Sequence, residues 1–308
     1  MDERVVIFAP VPQLTVTIEQ QADTVELHIH PGGQGVWQAR MVAALGVPVT
    51  LCLTVGGEVG GVLHKLLADE DVTVRAVTRQ SESGWYVHDR RDGKRTEIAE
   101  DPGEPLVRHD IDELYSMTLT EGLRAPVTVL SGPAGPSIVD ADVYRRLASD
   151  LSANGGTVVA DLSGPLLAAV LDAGLAFLKV SHEELIDDER ADDDSVEALV
   201  RAARRLHDDG AGTVLISRAD QPSLALFDEA VVEVRLPQLK VVDHRGAGDS
   251  MTAGVAAVLA RGGSVEDAIR TGAAAGALNV TRHGLGTGRA DAVRELIGRV
   301  ELVPVEKG

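Results

Sequence analysis

The chain has 308 residues and carries 48 acidic against 29 basic side chains, a formal charge of −19 at pH 7. An acidic surface of that size repels phosphodiester backbones, which excludes nucleic acid as the expected partner. The single cysteine, Cys52, excludes a disulfide framework and any Cys-based zinc site. No apolar run approaches the ~20 residues needed to cross a bilayer. The opening MDERVVIFAP puts acidic residues before a strand-like run, unlike a signal peptide, so the expectation is a cytoplasmic protein. Aromatics make up 3%, so the core must be built from Ala, Val and Leu.

In chain order, Val5–Phe8, Val47–Leu53, Val72–Val77, Val127–Leu130, Thr157–Ala160, Ala176–Val180 and Thr213–Ile216 read as buried strands. Segments with helical spacing lie between most of them: Val36–Leu45, Val59–Ala68, Asp110–Leu119, Ala141–Ala153, Gly164–Leu171 and Val196–Asp208. Continuous apolar strands alternating with amphipathic helices predict an α/β fold, a mainly parallel central sheet with helices on both faces. The last third adds strands Leu224–Phe227 and Val231–Val234, then helices near Asp249–Ala260 and Val265–Val280.

Two segments break this rhythm. Leu14–Gln20 and Thr24–His30 alternate apolar and polar residues, the pattern of a sheet exposed on one face. Trp85–His88 and Arg95–Ile98, joined by the turn at Arg91–Lys94, read as a hairpin of the same kind. These strands, near residues 12–31 and 83–99, predict a small β-sheet lid on a single domain spanning 1–308.

The most specific feature is Asp243-His244-Arg245-Gly246-Ala247-Gly248-Asp249-Ser250, which follows a strand-like Leu239–Val242 and opens an Ala-rich helix. Gly246 and Gly248 allow a tight turn that aims successive N–H groups at one point. The helix dipole then makes an anion hole without Lys or Arg. Asp249 falls in the first helical turn, where a carboxylate can accept a proton from an attacking hydroxyl. The plainer alternative is a tight turn followed by an ordinary N-cap. The segment is neither a Walker A loop nor a full G-x-G-x-x-G. Pro31-Gly32-Gly33-Gln34-Gly35-Val36-Trp37 likewise places bare backbone at a helix start, and Lys179–Leu185 ends a buried strand in a polar turn. Ligands of open α/β sheets bind at such strand ends.

Together these elements resemble the ribokinase/PfkB family of carbohydrate kinases, particularly its 1-phosphofructokinase and tagatose-6-phosphate kinase branch. Gly246–Ser250 matches that family's C-terminal signature, and Gly32-Gly33-Gln34-Gly35 its Gly-Gly-Lys-Gly signature. Lys179–Leu185 aligns with Lys-Pro-Asn-x-x-Glu-Leu. Ser131-Gly132 and Asp161–Gly164 fall where the family has Ser-Gly and Asp-Thr-Ser-Gly. The resemblance implies ATP-dependent phosphorylation of a hydroxyl on a sugar or sugar phosphate. Asp249 would be the base, and the N–H groups of Gly246, Ala247 and Gly248 would hold the transferring phosphoryl group. Glu184 would organise Mg²⁺, and Lys179, Ser181, Ser217, Ala274, Gly276 and Asn279 would surround the nucleotide. Gln13, Gly32, Gly33, Gln34, Trp37 and Arg40 would face the acceptor. A homodimer closed by paired lids is the implied assembly.

The departures concentrate around the acceptor. Gln13 stands where the branch has Asp, Gln34 replaces the signature Lys and Trp37 replaces an Asn. Gly84–His88 lacks the lid's Arg-x-Asn-x-Lys, which leaves Arg40 and Lys94 or Arg95 as phosphate partners. Trp85 and Tyr86 either stack on a sugar ring or pack the lid. Near the nucleotide, Ser181 replaces an Asn, and Ser217–Pro222 lacks both glycines of the family's turn. Two rival readings follow: a kinase for an unphosphorylated sugar or nucleoside, and a catalytically silent sugar-binding relative. Elsewhere the residues read as structural. His28 and His30 are read as lid surface residues, Asp187–Asp194 as a solvated helix start, Cys52 as a core thiol and Arg282–Gly288 as a helix-ending loop.

Overall fold

All four residues of β1 (Val5–Phe8) are buried, because the strand lies mid-sheet with a parallel neighbour on each side, β4 (Val49–Gly56) and β8 (Val127–Ser131). The computed structural model describes residues 3–135, 137–237, 239–281 and 286–305. Outward from β1 the parallel run continues through β5 (Thr73–Arg79) on one side. On the other it passes through β9 (Thr157–Asp161), β10 (Leu175–Ser181) and β11 (Ala211–Arg218). Three antiparallel strands, β12 (Gln221–Phe227), β13 (Ala230–Arg235) and β14 (Glu301–Pro304), extend that edge to a ten-stranded sheet.

Successive side chains of a strand point to opposite faces, and β1 feeds two cores accordingly. Val6 and Phe8 pack with α3 (Arg108–Gly122), α4 (Ala141–Ala153), α5 (Gly164–Leu171) and α7 (Val196–Asp208). Val5 and Ile7 pack with α1 (Gln34–Ala44), α2 (Gly57–Ala68), α8 (Ala247–Ala260) and α9 (Val265–Asn279). Helices α8 and α9 pack almost backbone to backbone: a Cβ on Gly254 would lie 2.8 Å from the Cα of Gly272. Such close approach is how a core poor in aromatics is filled.

The predicted lid is a separate four-stranded sheet, ordered β3 (Thr24–Gly32), β2 (Gln13–Gln21), β6 (Ser83–Asp89), β7 (Thr96–Gly103). Its polar face turns inward, with Thr15, Thr17 and His88 all under a tenth exposed. Its apolar face turns outward, leaving Val25, Leu27, Ile29 and Ile98 43–61% exposed.

Three elements escaped the pattern reading: α6 (His182–Asp187), α10 (Ala290–Ile297) and β14. One predicted strand is corrected. Leu239–Val242 forms no strand; its described residues run as an irregular segment in which Val241 and Val242 are 40% or more exposed. The N–H groups of Val242 and Asp243 turn instead to the carbonyl of Val280 beyond α9. No described helix is long and apolar enough to cross a membrane. Residues 282–285 of the Arg282–Gly288 segment lie outside the described residues.

Candidate active site

The parallel strands deliver their C-terminal ends to one rim. Gln13 follows β1, Ser131 and Gly132 end β8, Asp161 ends β9, Ser181 ends β10 and Ser217 lies near the end of β11. Above this rim α8 begins, with Gly246 as its N-cap at φ 70°, a left-handed geometry that favours glycine. The N–H groups of a helix's first turn have no intrahelical partner and carry the positive end of its dipole. Asp249 lies in that first turn and is 9% exposed.

Beneath α8 lies a buried polar network. Asp161 accepts from Lys179 Nζ at 3.2 Å, from Gln38 Nε2 at 3.1 Å and from the Thr252 hydroxyl at 2.8 Å. Ser131 donates to Gln38 in turn, and Tyr144 closes the chain on the Ser131 carbonyl. Gly248 makes room for this arrangement, because a Cβ there would collide with the Lys179 ammonium. Burial works against the charge on Lys179, but the Asp161, Glu184 and Asp249 carboxylates outweigh it and hold the ammonium above its ordinary pKa. Burial, then the neighbouring Asp161 carboxylate, pushes Asp249 well above the usual carboxylate range, with Lys179 opposing. A carboxyl raised in this way is more basic than an ordinary carboxylate and so better suited to take a proton from a hydroxyl, as a general base must.

Glu184 turns back in a capping box: its Oε2 accepts from the Ser181 N–H at 2.7 Å and from the Ser181 hydroxyl at 2.8 Å. Ser181 therefore begins α6 and fixes Glu184 at the rim, where the glutamate lines a cleft of about 890 Å³. That cleft is also lined by Gln13, Gly33, Gln34, Trp37, Gly132 and Asp161. Gln34 reaches across it, accepting the Gly132 N–H at 2.5 Å, and Gly33 caps α1 at φ 99°. A Cβ at Gly32 would strike the Thr15 hydroxyl.

Other predicted site residues take positions that limit what they contact. Arg40 is committed to Glu70 through two hydrogen bonds and lies beyond Trp37, outside the cleft. Ala274 is wholly buried, and Gly276 lets α9 approach the Ala247 carbonyl. Asn279, 1% exposed, spends its amide on two backbone groups, donating to the Arg245 carbonyl at 2.6 Å and accepting from the Gly286 N–H at 3.1 Å. It thereby ties the approach to Gly246 to the end of α9. Near Ser217, Ala219 and Asp220 form a two-residue turn between β11 and β12, with Ala219 at φ 48°. Tyr86 turns inward, flanked by Arg95 and Arg245 guanidiniums 4.9 and 5.2 Å from its ring centre. Sequence reasoning missed Gln38 and Thr252; the one available signal was an amide among the apolar residues of α1.

The family model of the pfkB carbohydrate kinases matches residues 11–292. This chain belongs to the pfkB family. The pfkB chain is 31% identical over 264 residues to ATP-dependent 6-phosphofructokinase isozyme 2 of Escherichia coli K12, with 82% of each chain covered. It is 28% identical over 275 residues to 1-phosphofructokinase of Bacillus subtilis, covering 89% of this chain and 88% of that one. Phosphofructokinase-2 from Escherichia coli in complex with potassium superposes with a TM-score of 0.86 at 25% identity, covering 96% and 98% of the two chains. Arabidopsis thaliana ribokinase complexed with ribose and ATP shares the fold, at a TM-score of 0.75, 22% identity and 96% and 99% coverage. The pfkB chain is thus a kinase, a phosphotransferase acting on a hydroxyl group with ATP as the family's donor.

Proposed function

We propose that this kinase phosphorylates a sugar or sugar phosphate bound in the cleft between Gln13, Gly33, Gln34 and Trp37, with Asp249 as the general base. The observation that carries the reading is Asp249 itself, buried in the first turn of α8 behind a left-handed Gly246, with a raised pKa. Asp249 takes the proton of the acceptor hydroxyl. The first-turn N–H groups of α8 meet the charge on the phosphoryl group in transfer, and Lys179 adds a cation behind Gly248. Proton transfer to a positioned carboxylate contributes about 10²–10⁴-fold, and positioning of the hydroxyl adds to it.

A magnesium ion fits the donors present. Mg²⁺ binds through one or two carboxylates, waters and substrate phosphates, and Glu184, whose Oε2 accepts from Ser181, lines the cleft. When bound, the ion would neutralise phosphate charge. Ser181, Ser217 and Lys179 place the nucleotide on the β10–β11 end of the rim, and the four-stranded sheet closes over one domain spanning 1–308. Its outward apolar strip of Val25, Leu27 and Ile29, continued by Ile98, favours pairing with a second copy, giving a homodimer.

One observation favours an unphosphorylated sugar or nucleoside as the acceptor: among the described residues the cleft lining contains no lysine or arginine. ADP release with ATP and Mg²⁺ across sugars, sugar phosphates and nucleosides decides between them. Turnover with one acceptor, reduced roughly 10³-fold or more in Asp249→Asn, is the expected outcome. Turnover that survives the substitution overturns the assignment of the base. A ligand that raises the melting temperature without any ADP release points to a silent binder.

A further inference from the structure

We propose that Gln38 is a positioning residue of the transfer site: its amide turns the Asp161 carboxylate so that one oxygen holds Lys179 beneath Gly248 and the other holds Thr252, which aims the first turn of α8. The proposal rests on Asp249 as the base and extends that reading to a side chain outside the cleft lining. Gln38 is wholly buried on α1, where the other buried side chains are Val36, Ala39, Met41 and Val42. An aliphatic residue would fill that position, and an amide taken out of water costs stability unless its polar ends are bonded. Both ends are bonded here, and both bonds run to the rim of the sheet.

The rim supplies the geometry. Ser131 at the end of β8 is the register partner of Asp161 at the end of β9, and Asp161 is the register partner of Lys179 on β10. Register partners in neighbouring strands put their side chains on one face, so the three form a row across the sheet. Gln38 spans the first pair. Its Oε1 accepts the Ser131 hydroxyl, and its Nε2 donates to Asp161 Oδ2 at 3.1 Å. This orientation is forced, because a carboxylate only accepts and would repel the carbonyl end of the amide. Lys179 spans the second pair, donating to Asp161 Oδ1 at 3.2 Å.

The division of the two carboxylate oxygens matters at α8. Thr252 shares Oδ2 with Gln38, donating at 2.8 Å, while Lys179 packs so close to Gly248 that a Cβ there would lie 2.4 Å from Nζ. Asp161 thus holds α8 at two points, Thr252 directly and Gly248 through Lys179, before and after Asp249 in the chain. Without Gln38 the carboxylate loses one of its three donors and is free to turn both oxygens toward Lys179, which releases Thr252. Gln34 gives α1 a second hold on the end of β8, through the Gly132 N–H at 2.5 Å. The helix that opens at the acceptor cleft and the helix that carries the base are therefore braced against one row of side chains.

Gln38→Leu removes the amide at similar volume. Its kcat should fall roughly tenfold or more, the effect of one lost hydrogen bond to a charged group, with the acceptor KM within about twofold of wild type. Gln38→Glu keeps the shape, but it keeps the bond to Asp161 only while the pair shares a proton, because two carboxylates so close do not both ionise. Its activity relative to wild type should be highest at low pH and fall as pH rises. The other charged groups that face Asp161 are Lys179 on β10, Glu184 on α6 and Asp249 on α8, and all three stay in place across the series. Amide hydrogen exchange over residues 250–254 reads the hold on α8 without any substrate, since the Ser250 N–H bonds back to the Gly246 carbonyl. It should quicken roughly tenfold in Gln38→Leu. The proposal is overturned if Gln38→Leu keeps kcat within about twofold of wild type, if its acceptor KM rises while kcat holds, or if exchange over 250–254 is unchanged. Should wild type turn over no acceptor, the kinase reading fails on its own, and the exchange still decides the role of Gln38.

Discussion

Two polar regions of this molecule, one beneath α8 and one beneath the lid, are built on opposite terms. Under α8 the buried charges are met from within the chain: Asp161 takes three donors, Lys179 takes Asp161, and Glu184 is held by Ser181. On the underside of the lid, Arg95 and Arg245 lean on one tyrosine ring and His88 keeps a ring nitrogen unpartnered. A closed network costs nothing further when substrate arrives, because its groups are already oriented. An open one is stabilised by whatever binds it. The first surface therefore sets the chemistry and the second is free to set recognition; Gly246–Asp249 keeps the family pattern, whereas the lid hairpin Gly84–His88 departs from it.

The sharpest way to break the closed surface is Lys179→Met, which leaves Asp161 buried and uncompensated. Chemical denaturation should show a loss of about 3–5 kcal/mol, much of it recovered in the double variant Lys179→Met/Asp161→Asn. A milder probe is pH. Because Asp249 is raised and acts deprotonated, kcat/KM should fall on the acid side with an apparent pKa above the ordinary carboxylate value of about 4. Asp161→Asn removes a neighbouring negative charge and moves that limb to lower pH. The same shift has a stability sign. A carboxyl whose pKa is higher folded than unfolded gives stability that is lost as pH rises through the folded value. Asp249→Asn should therefore raise the melting temperature at neutral pH and change it little below pH 4.

On the open surface, Leu27→Asp places charge in the outward strip and should convert a homodimer to a monomer by light scattering. A wild type already monomeric at micromolar concentration would sink the paired-lid assembly. The smallest effect belongs to the β11–β12 turn. Ala219 occupies left-handed backbone, so Ala219→Gly should raise stability by about 0.5–1 kcal/mol in denaturant unfolding.

Most of the frame is legible in the sequence because it rests on local signals. Continuous apolar runs mark strands buried on both faces, and Gly33 and Gly246 mark turns whose positive φ favours glycine. The network under α8 is not legible, since Gln38, Asp161, Lys179 and Thr252 come from α1, β9, β10 and α8 and no spacing links them. Leu239–Val242 has the β-branched residues of a strand, but strand formation needs a partner and none of the described strands pairs with it. The lid's alternation marks a sheet that is apolar on one face and polar on the other. Its sense was not readable, because a period of two does not say which face meets the protein; here Thr15, Thr17 and His88 go in and Leu27 goes out.

The lid is also assembled from two distant pieces of chain. Its central ladder joins β2 to β6 in parallel, with Thr17 opposite His88, and the whole of α1, β4, α2 and β5 lies between them. That pairing must wait for the intervening unit to fold and bring its ends together, because the entropy of closing so long a loop is repaid only by contacts made afterwards. A chain emerging from the ribosome makes β2 and β3 among its first strands yet cannot complete their sheet until residue 103 has been released. During that interval Val25, Leu27 and Ile29 form the apolar side of an unfinished edge, so the segment most useful to the folded enzyme is also the one most in need of protection while it is being made.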